Sequence, residues 1–180
     1  MINLANAISK EITQKNAIYL DMGNSFYPGP LSKYSFGSIM IDFFNFTKCK
    51  ATLLSSKDLQ LGISSLNFLQ KKSKTKLLSI NILKGKKSIF TPYYIFSTPR
   101  STIAFIGISS KNVLFDIAEK NVFGVSLADT KKQVQTVLKK LRKKKNLTIV
   151  ALSSLTYRQN IVLLKNIPEI SLIISGGDNN

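Results

Sequence analysis

"TLLSSKDLQLG", Thr52 to Gly62, reads as the end of a buried strand that breaks into a loop and then enters a helix. A strand–loop–helix unit of this kind sets its loop at the carboxyl end of a strand, where open α/β sheets bind their ligands. The Ser55-Ser56-Lys57-Asp58 tetrad is therefore the first place to ask what chemistry the chain supports.

Working outward, apolar runs recur with helical segments between them, the pattern of a buried sheet covered by helices. A helix over Asn3–Lys15 is expected to lead into a first strand, "NAIYLDMG" (Asn16–Gly23). The stretch Tyr34–Lys48 reads as a helix with Ile39, Phe43 and Phe46 on one face. Ala51–Ser55 is a short strand, and the helix after it turns Ile63, Leu66 and Leu69 inward. "KLLSINIL" and "SIFTPYYIFS", joined by Lys84-Gly85-Lys86-Lys87, read as a β-hairpin packed through Tyr93, Tyr94 and Phe96. Ser101–Ser109 follows as a strand. Thr130 and Gln133 suggest a capping box, and Val134, Val137, Leu138 and Leu141 form an amphipathic stripe behind it. Two last strands, "LTIVALSS" and "SLIISGG", flank a helix over about Tyr157–Lys165. The expected fold is α/β, a central and mostly buried β-sheet with helices outside, in one domain over residues 1–180.

Composition narrows the chemistry. Of 180 residues 44% are hydrophobic, a globular proportion with enough chain for a sizeable core. No apolar run approaches the roughly 20 residues of a membrane span. The opening "MINLANAISKEITQKN" has neither a basic leader nor a continuous apolar stretch, so no signal peptide is expected. The single Cys49 excludes an internal disulfide and is expected to pack as a small buried hydrophobe. These features set cytoplasm as the expected compartment.

The formal net charge is +17, with 26 Lys+Arg against 9 Asp+Glu, which favours polyanions such as RNA, DNA or anionic lipid. The candidate contacts are Lys71, Lys72, Lys74 and Lys76 in "KKSKTK", and Lys139, Lys140, Arg142, Lys143, Lys144 and Lys145 in "KKLRKKK". The second run ends a helix, where cations also complement the macrodipole. Lysines outnumber arginines heavily and aromatics do not interleave the runs, so the expected binding is weak and indifferent to sequence.

There is no histidine. That removes the commonest general base, the commonest transition-metal ligand and every Ser–His or Cys–His nucleophile pair.

In order along the chain, "YLDMGNSFYPGPLS" (Tyr19–Ser32) is similar to an L-D-A-G-D-x-x-x-G-S-P-L-S segment. "TLLSSKDLQLG" stands where T-L-G-N-H-D-F-D-Y-G is usual. Leu77–Ser110 resembles a passage with an S-A-N strand, an F-x-P-Y hairpin and an I-G-V-I-G strand. "IVALSSL" (Ile149–Leu155) is in the place of V-A-L-S-H-L, and "LIISGGDNN" in that of L-I-I-G-G-H-T-H. Together these resemble the catalytic domain of the 5′-nucleotidase branch of the metallophosphoesterases. The resemblance implies an incomplete αββα (calcineurin-like) sandwich. On this resemblance, the domain is expected to lack the family's opening D-x-H strand and the strands after its last loop.

It also implies a two-metal phosphate site whose ligands have changed. The bridging Asp is matched by Asn24, the liganding Asn by Ser56 and the catalytic His by Lys57, while Asp58 is retained. Ser154 matches the His of S-H-L, and Asp178 and Asn180 match the histidines of the last loop. An ammonium about 5 Å from a dication, at an effective dielectric near 20, is repelled by roughly 6–7 kcal/mol. The leading expectation is a catalytically inactive binding or scaffold module without a cofactor. The alternative is a divergent hydrolase holding Mg²⁺ or Mn²⁺ weakly on Asp21, Asp58 and Asp178. A third reading is a basic protein associated with nucleic acid or ribosomes. Asn24, Ser56, Lys57, Ser154 and Asp178 are expected at one mouth. Asp21 is expected to cap or order the strand-end loop, and Asp58 to pair with Lys57 or cap the next helix. An exposed sheet edge suggests a protein partner or homo-oligomer.

Overall fold

The computed structural model describes residues 2–15, 17–27, 29–110, 123–142, 144 and 146–176. Helix α1 (Ile2–Lys15) leads to β1 (Leu20–Asp21), α2 (Pro30–Tyr34), α3 (Ser38–Phe46), β2 (Ala51–Leu53), the one-turn α4 (Ser56–Leu59) and α5 (Ile63–Lys72). Next come β3 (Lys76–Leu78), β4 (Ile82–Lys84), β5 (Lys87–Ser88), β6 (Tyr93–Ser97) and β7 (Thr102–Ile108). The last elements are β8 (Val125–Leu127), α6 (Thr130–Leu141), β9 (Leu147–Ser153), α7 (Tyr157–Asn166) and β10 (Leu172–Ser175).

The buried sheet is in fact two sheets face to face. One is parallel, in the order β1-β2-β3. The other runs β10-β9-β7-β6, parallel except for β6. Alternation along the strands explains the layers, because successive side chains point to opposite faces. On β7, Ala104, Ile106 and Ile108 join Val134, Val137, Leu138 and Leu141 of α6 and Leu163 of α7 in one core. Phe105 points the other way and meets Leu53 and Leu78 of the facing sheet, with Val150 and Leu152 of β9. Outside the first sheet, Ala5 of α1, Ile41 and Phe44 of α3, and Leu66 and Leu69 of α5 close a third core. The result is the helix–sheet–sheet–helix layering that the sequence suggests. A small antiparallel sheet, β5-β4-β8, packs Ile82, Val125 and Leu127 against the third core.

Three expected elements differ in detail. The helix expected over Tyr34–Lys48 breaks at Gly37, whose φ is 80°. That left-handed φ favours glycine, and a Cβ there would also crowd Leu69 Cδ1 of α5 at 2.7 Å. The break resets the helical phase, so Ile41, Phe43 and Phe44 are buried while Phe46 faces solvent. The expected hairpin survives only as β4–β5, turning at Gly85 with φ 60°. Its flanks separate, β3 pairing with β2 and β6 with β7. At the start of α6 the cap is Asp129, which accepts from Lys132 N at 2.8 Å, and not Thr130. Cys49 is buried as expected, and its thiol is pushed up to about 12 by burial and by the nearby charge of Asp21.

The two sheets touch at a defined point. A Cβ on Gly107 would lie 2.6 Å from both Cβ and O of Leu78. Ile80 N donates to Gly107 O at 2.8 Å, tying the chain after β3 to β7. Backbone on both sides leaves nothing flexible to move aside. Gly107→Ala is therefore expected to destabilise the protein by about 1–3 kcal/mol, the usual scale of overpacking, seen as a lower urea midpoint at unchanged slope.

Candidate functional site

The carboxyl ends of strands from both sheets meet at one mouth. Ser109, just past β7, donates its Oγ proton to Leu54 O at 2.7 Å, joining the ends of β7 and β2. Gly176 after β10 lies close to Met22 after β1, since a Cβ added there would be 3.0 Å from Met22 Cβ. This is where the sequence expectation set the candidate residues.

Their placement can be followed one by one. Asn24 follows Gly23, and both have positive φ, 59° and 87°. A Cβ on Gly23 would fall 2.3 Å from Ser55 Oγ and 2.5 Å from Leu53 O, so the loop crosses directly over the end of β2. Asn24 Oδ1 accepts from Lys57 N at 3.3 Å, which brings these two together. Ser56 opens α4, and its side chain lies outside the described set. Lys57 is exposed. Ser154, half-buried after β9, accepts from Ser110 N at 2.9 Å. Asp178 and Asn180 lie outside the described residues.

Asp58 holds the mouth together. Its Oδ2 accepts from Asn24 N at 2.8 Å and from Ser55 N at 3.0 Å, and its Oδ1 from Phe26 N at 2.9 Å. The residue is fully buried. Burial raises its pKa to about 7, although the three N–H groups pull it down, and the charge of Asp21 adds to the rise. Asp21 is used in the same way one strand over. It accepts from Gly23 N at 3.0 Å, from Thr52 Oγ1 at 2.6 Å and, through each oxygen, from Ser25 Oγ at 2.9 Å. Asp21 thus orders the strand-end loop, and Asp58 caps the start of α4 through Ser55 N, the second of the two roles expected for it, while also binding the loop after β1. The ion pairs among the described residues are Glu11–Lys15 and Arg142–Glu169, so Asp58 is not paired with Lys57.

A polar knot behind the mouth escapes sequence reasoning. Asn81 Nδ2 donates to Ser109 O at 2.7 Å, Asn81 Oδ1 accepts from Ser109 N at 3.0 Å, and Ser79 Oγ lies 3.0 Å from Ser109 Oγ. All three residues are buried. The available signal is the interruption of apolar runs by polar residues, "LLSINIL" and "IGISS", since a buried polar group needs a partner.

The two basic runs lie on opposite outer layers. Lys71 and Lys72 end α5, with Lys74 and Lys76 after it, all outside the core. Lys139 and Lys140 lie in α6, with Arg142 and Lys144 beyond its end, all exposed. Lys143 and Lys145 lie outside the described residues.

No protein-family model matches the chain, and no curated protein matches it. Solved structures do. A 5′-nucleotidase precursor from Thermus thermophilus superposes with a TM-score of 0.80 at 20% identity, over 96% of this chain and 35% of that one. Sulfate thiohydrolase SoxB, from the same organism, gives 0.84 at 22% identity, over 96% of this chain and 32% of that one. The calcineurin-like phosphoesterase YfkN of Bacillus subtilis gives 0.79 at 19%, over 95% and 61%. The fold is therefore that of the calcineurin-like phosphoesterases, and the chain spans about a third of the length of the first two structures.

That fold implies a two-metal centre at this mouth, and the donors among the described residues do not fit one. Among the described residues no three His, Cys, Asp or Glu side chains converge to hold an ion. Asp58 is turned inward onto three N–H groups, and Asp21 is occupied by two hydroxyls and an N–H. Freeing either would strip buried donors of their acceptor.

The raised pKa of Asp58 gives a pH dependence of known sign. The folded state holds this proton more tightly than the unfolded chain, so its contribution is complete below about pH 4 and lost as pH rises to about 7. The unfolding free energy should fall across that window by at most about 1.4 kcal/mol per pH unit. Asp58→Asn should be less stable throughout, by about 1–3 kcal/mol for an N–H left facing an amide, and should lack this slope. Urea titrations of both proteins between pH 4 and 8 measure the difference.

Proposed function

We propose that this chain carries a phosphoesterase fold without an assembled catalytic centre and acts as a binding or scaffold module. One observation carries the reading: Asp21 and Asp58 at the mouth spend their oxygens on the protein's own N–H and O–H groups. Two-metal hydrolysis needs carboxylates free to clamp both ions, so that bound water loses its proton near neutral pH. It also needs a group to stabilise or protonate the leaving oxygen, and with no histidine the position is held by Lys57. An ammonium there competes with a cation for the same space.

The fold leaves substrate class open, since the similar structures bear names as different as nucleotidase and sulfate thiohydrolase. What supports a binding role is the integrity of the scaffold. The sheets, the Asp58 bonds and the Ser79–Asn81–Ser109 knot form a satisfied, rigid frame that presents loops at the mouth.

The decisive assay offers nucleoside monophosphates and an aryl phosphate with Mn²⁺, Mg²⁺ or Zn²⁺ in turn, beside an Asp178→Ala variant. The expected result is no metal-dependent turnover above the protein-free rate. Turnover that requires metal and vanishes in Asp178→Ala would replace the scaffold reading with a divergent hydrolase.

A further inference from the structure

The outer face of α1, α3 and α5 carries apolar side chains that the fold leaves uncovered. Ile2, Leu4, Tyr34, Phe36, Phe46 and Phe68 there are between 55% and 89% exposed. Two hollows gather some of them. Ile2 and Ala5 of α1 and Ile39, Asp42, Phe43 and Phe46 of α3 line one groove of about 410 Å³, apolar except for the Asp42 carboxylate. Tyr34 and Phe36 form a second hollow with Lys33 at the α2–α3 corner, where Phe36 sits at a φ of 48°. Phe36 is thus presented outward by a left-handed backbone that a bulky residue seldom adopts.

The same face carries one of the two basic runs. Lys74 N donates to Asn45 Oδ1 at 3.0 Å, which fixes the end of α5 beside Phe46 at the end of α3. Lys72 Nζ lies 4.4 Å above the ring of Phe68. Lys71 and Lys72 are exposed at the end of α5. Aromatic and aliphatic side chains beside lysines are what a helical surface presents to the interface of an anionic bilayer: rings and chains enter the headgroup–acyl boundary while ammonium groups meet lipid phosphates. Nucleic acid would use the lysines but leave the aliphatic Ile2 and Leu4 in water. No helix among the described residues is long and apolar enough to cross a membrane, so this is attachment to a surface.

From this arrangement we infer that the α1–α3–α5 face docks on the surface of an anionic lipid bilayer. The four-layer build adds a directional consequence. Layers stack about 10 Å apart, so the Lys139–Lys144 run on α6 lies on the order of 30 Å away, beyond the screening length of about 8–10 Å at moderate salt. Only the first run acts on the membrane.

The test is cosedimentation of the full chain with vesicles of phosphatidylcholine alone or mixed three-to-one with phosphatidylglycerol, at low and moderate salt. Binding is expected to the mixed vesicles only. The double variant Phe46→Ser/Phe68→Ser should lower the partition coefficient by about tenfold or more, and Tyr34→Ser/Phe36→Ser similarly. Lys71→Gln/Lys72→Gln/Lys74→Gln should lower it by about fivefold per lysine, while Lys139→Gln/Lys140→Gln/Lys144→Gln leaves it unchanged. All replaced side chains lie outside the core, so thermal melts should match the parent protein. Failure to bind the mixed vesicles overturns the inference. So does vesicle binding indifferent to both serine pairs, or single-stranded RNA displacing the vesicles while binding all serine variants equally.

Discussion

A single buried carboxylate organises the loops at the mouth of this molecule. Asp58 gathers the N–H groups of Asn24, Phe26 and Ser55, so one side chain ties the loop after β1 to the loop after β2. Those N–H groups point inward where strands have ended and no ladder can satisfy them. Buried donors need acceptors, and a carboxylate can serve three from two oxygens. The cost is desolvation of the charge, visible in the pKa raised to about 7. The αL conformation at Gly23 and Asn24 follows from the same demand, because it turns successive N–H groups toward Asp21 and Asp58.

Around this point the two sheets are locked by complementary means. Apolar contact between Leu53, Leu78, Phe105, Val150 and Leu152 supplies non-directional attraction. The close approach at Gly107 and the knot of Ser79, Asn81 and Ser109 supply register. Apolar burial alone would tolerate sliding of one sheet over the other. Directional bonds and a glycine-only contact do not, since any shift leaves a buried polar atom unpaired or a backbone clash. The frame that positions the mouth is therefore stiff even though the mouth's own residues are loop residues.

Charge is distributed quite differently from chemistry. The two basic runs lie on the outer helical layers, and the mouth has an exposed lysine, Lys57, between two internally bonded acids. A surface of this kind attracts anions over a broad area, while the mouth itself is built from bonds the protein makes to itself. The scaffold and the surface are accordingly separable features of the same fold.

Much of this was legible in the residues. The spacing of apolar residues marked α5 and α6, and apolar runs marked the strands Ala51–Leu53, Thr102–Ile108 and Leu147–Ser153, because burial on one or both faces leaves its pattern in the chain itself. The absence of histidine and the pairing of Asp21 and Asp58 with loop turns were readable for the same reason: residue type limits chemistry before any folding occurs. What only the tertiary structure decided is where local patterns meet competing neighbours. The helix over Tyr34–Lys48 breaks where Gly37 takes a left-handed φ, and the outer flanks of the expected hairpin part because β3 pairs with β2 in one sheet and β6 with β7 in the other. The Ser79–Asn81–Ser109 knot joins residues about thirty positions apart, and no local repeat encodes such a pairing. Sequence specifies what each segment can bury; contacts between distant segments decide which of those options is taken.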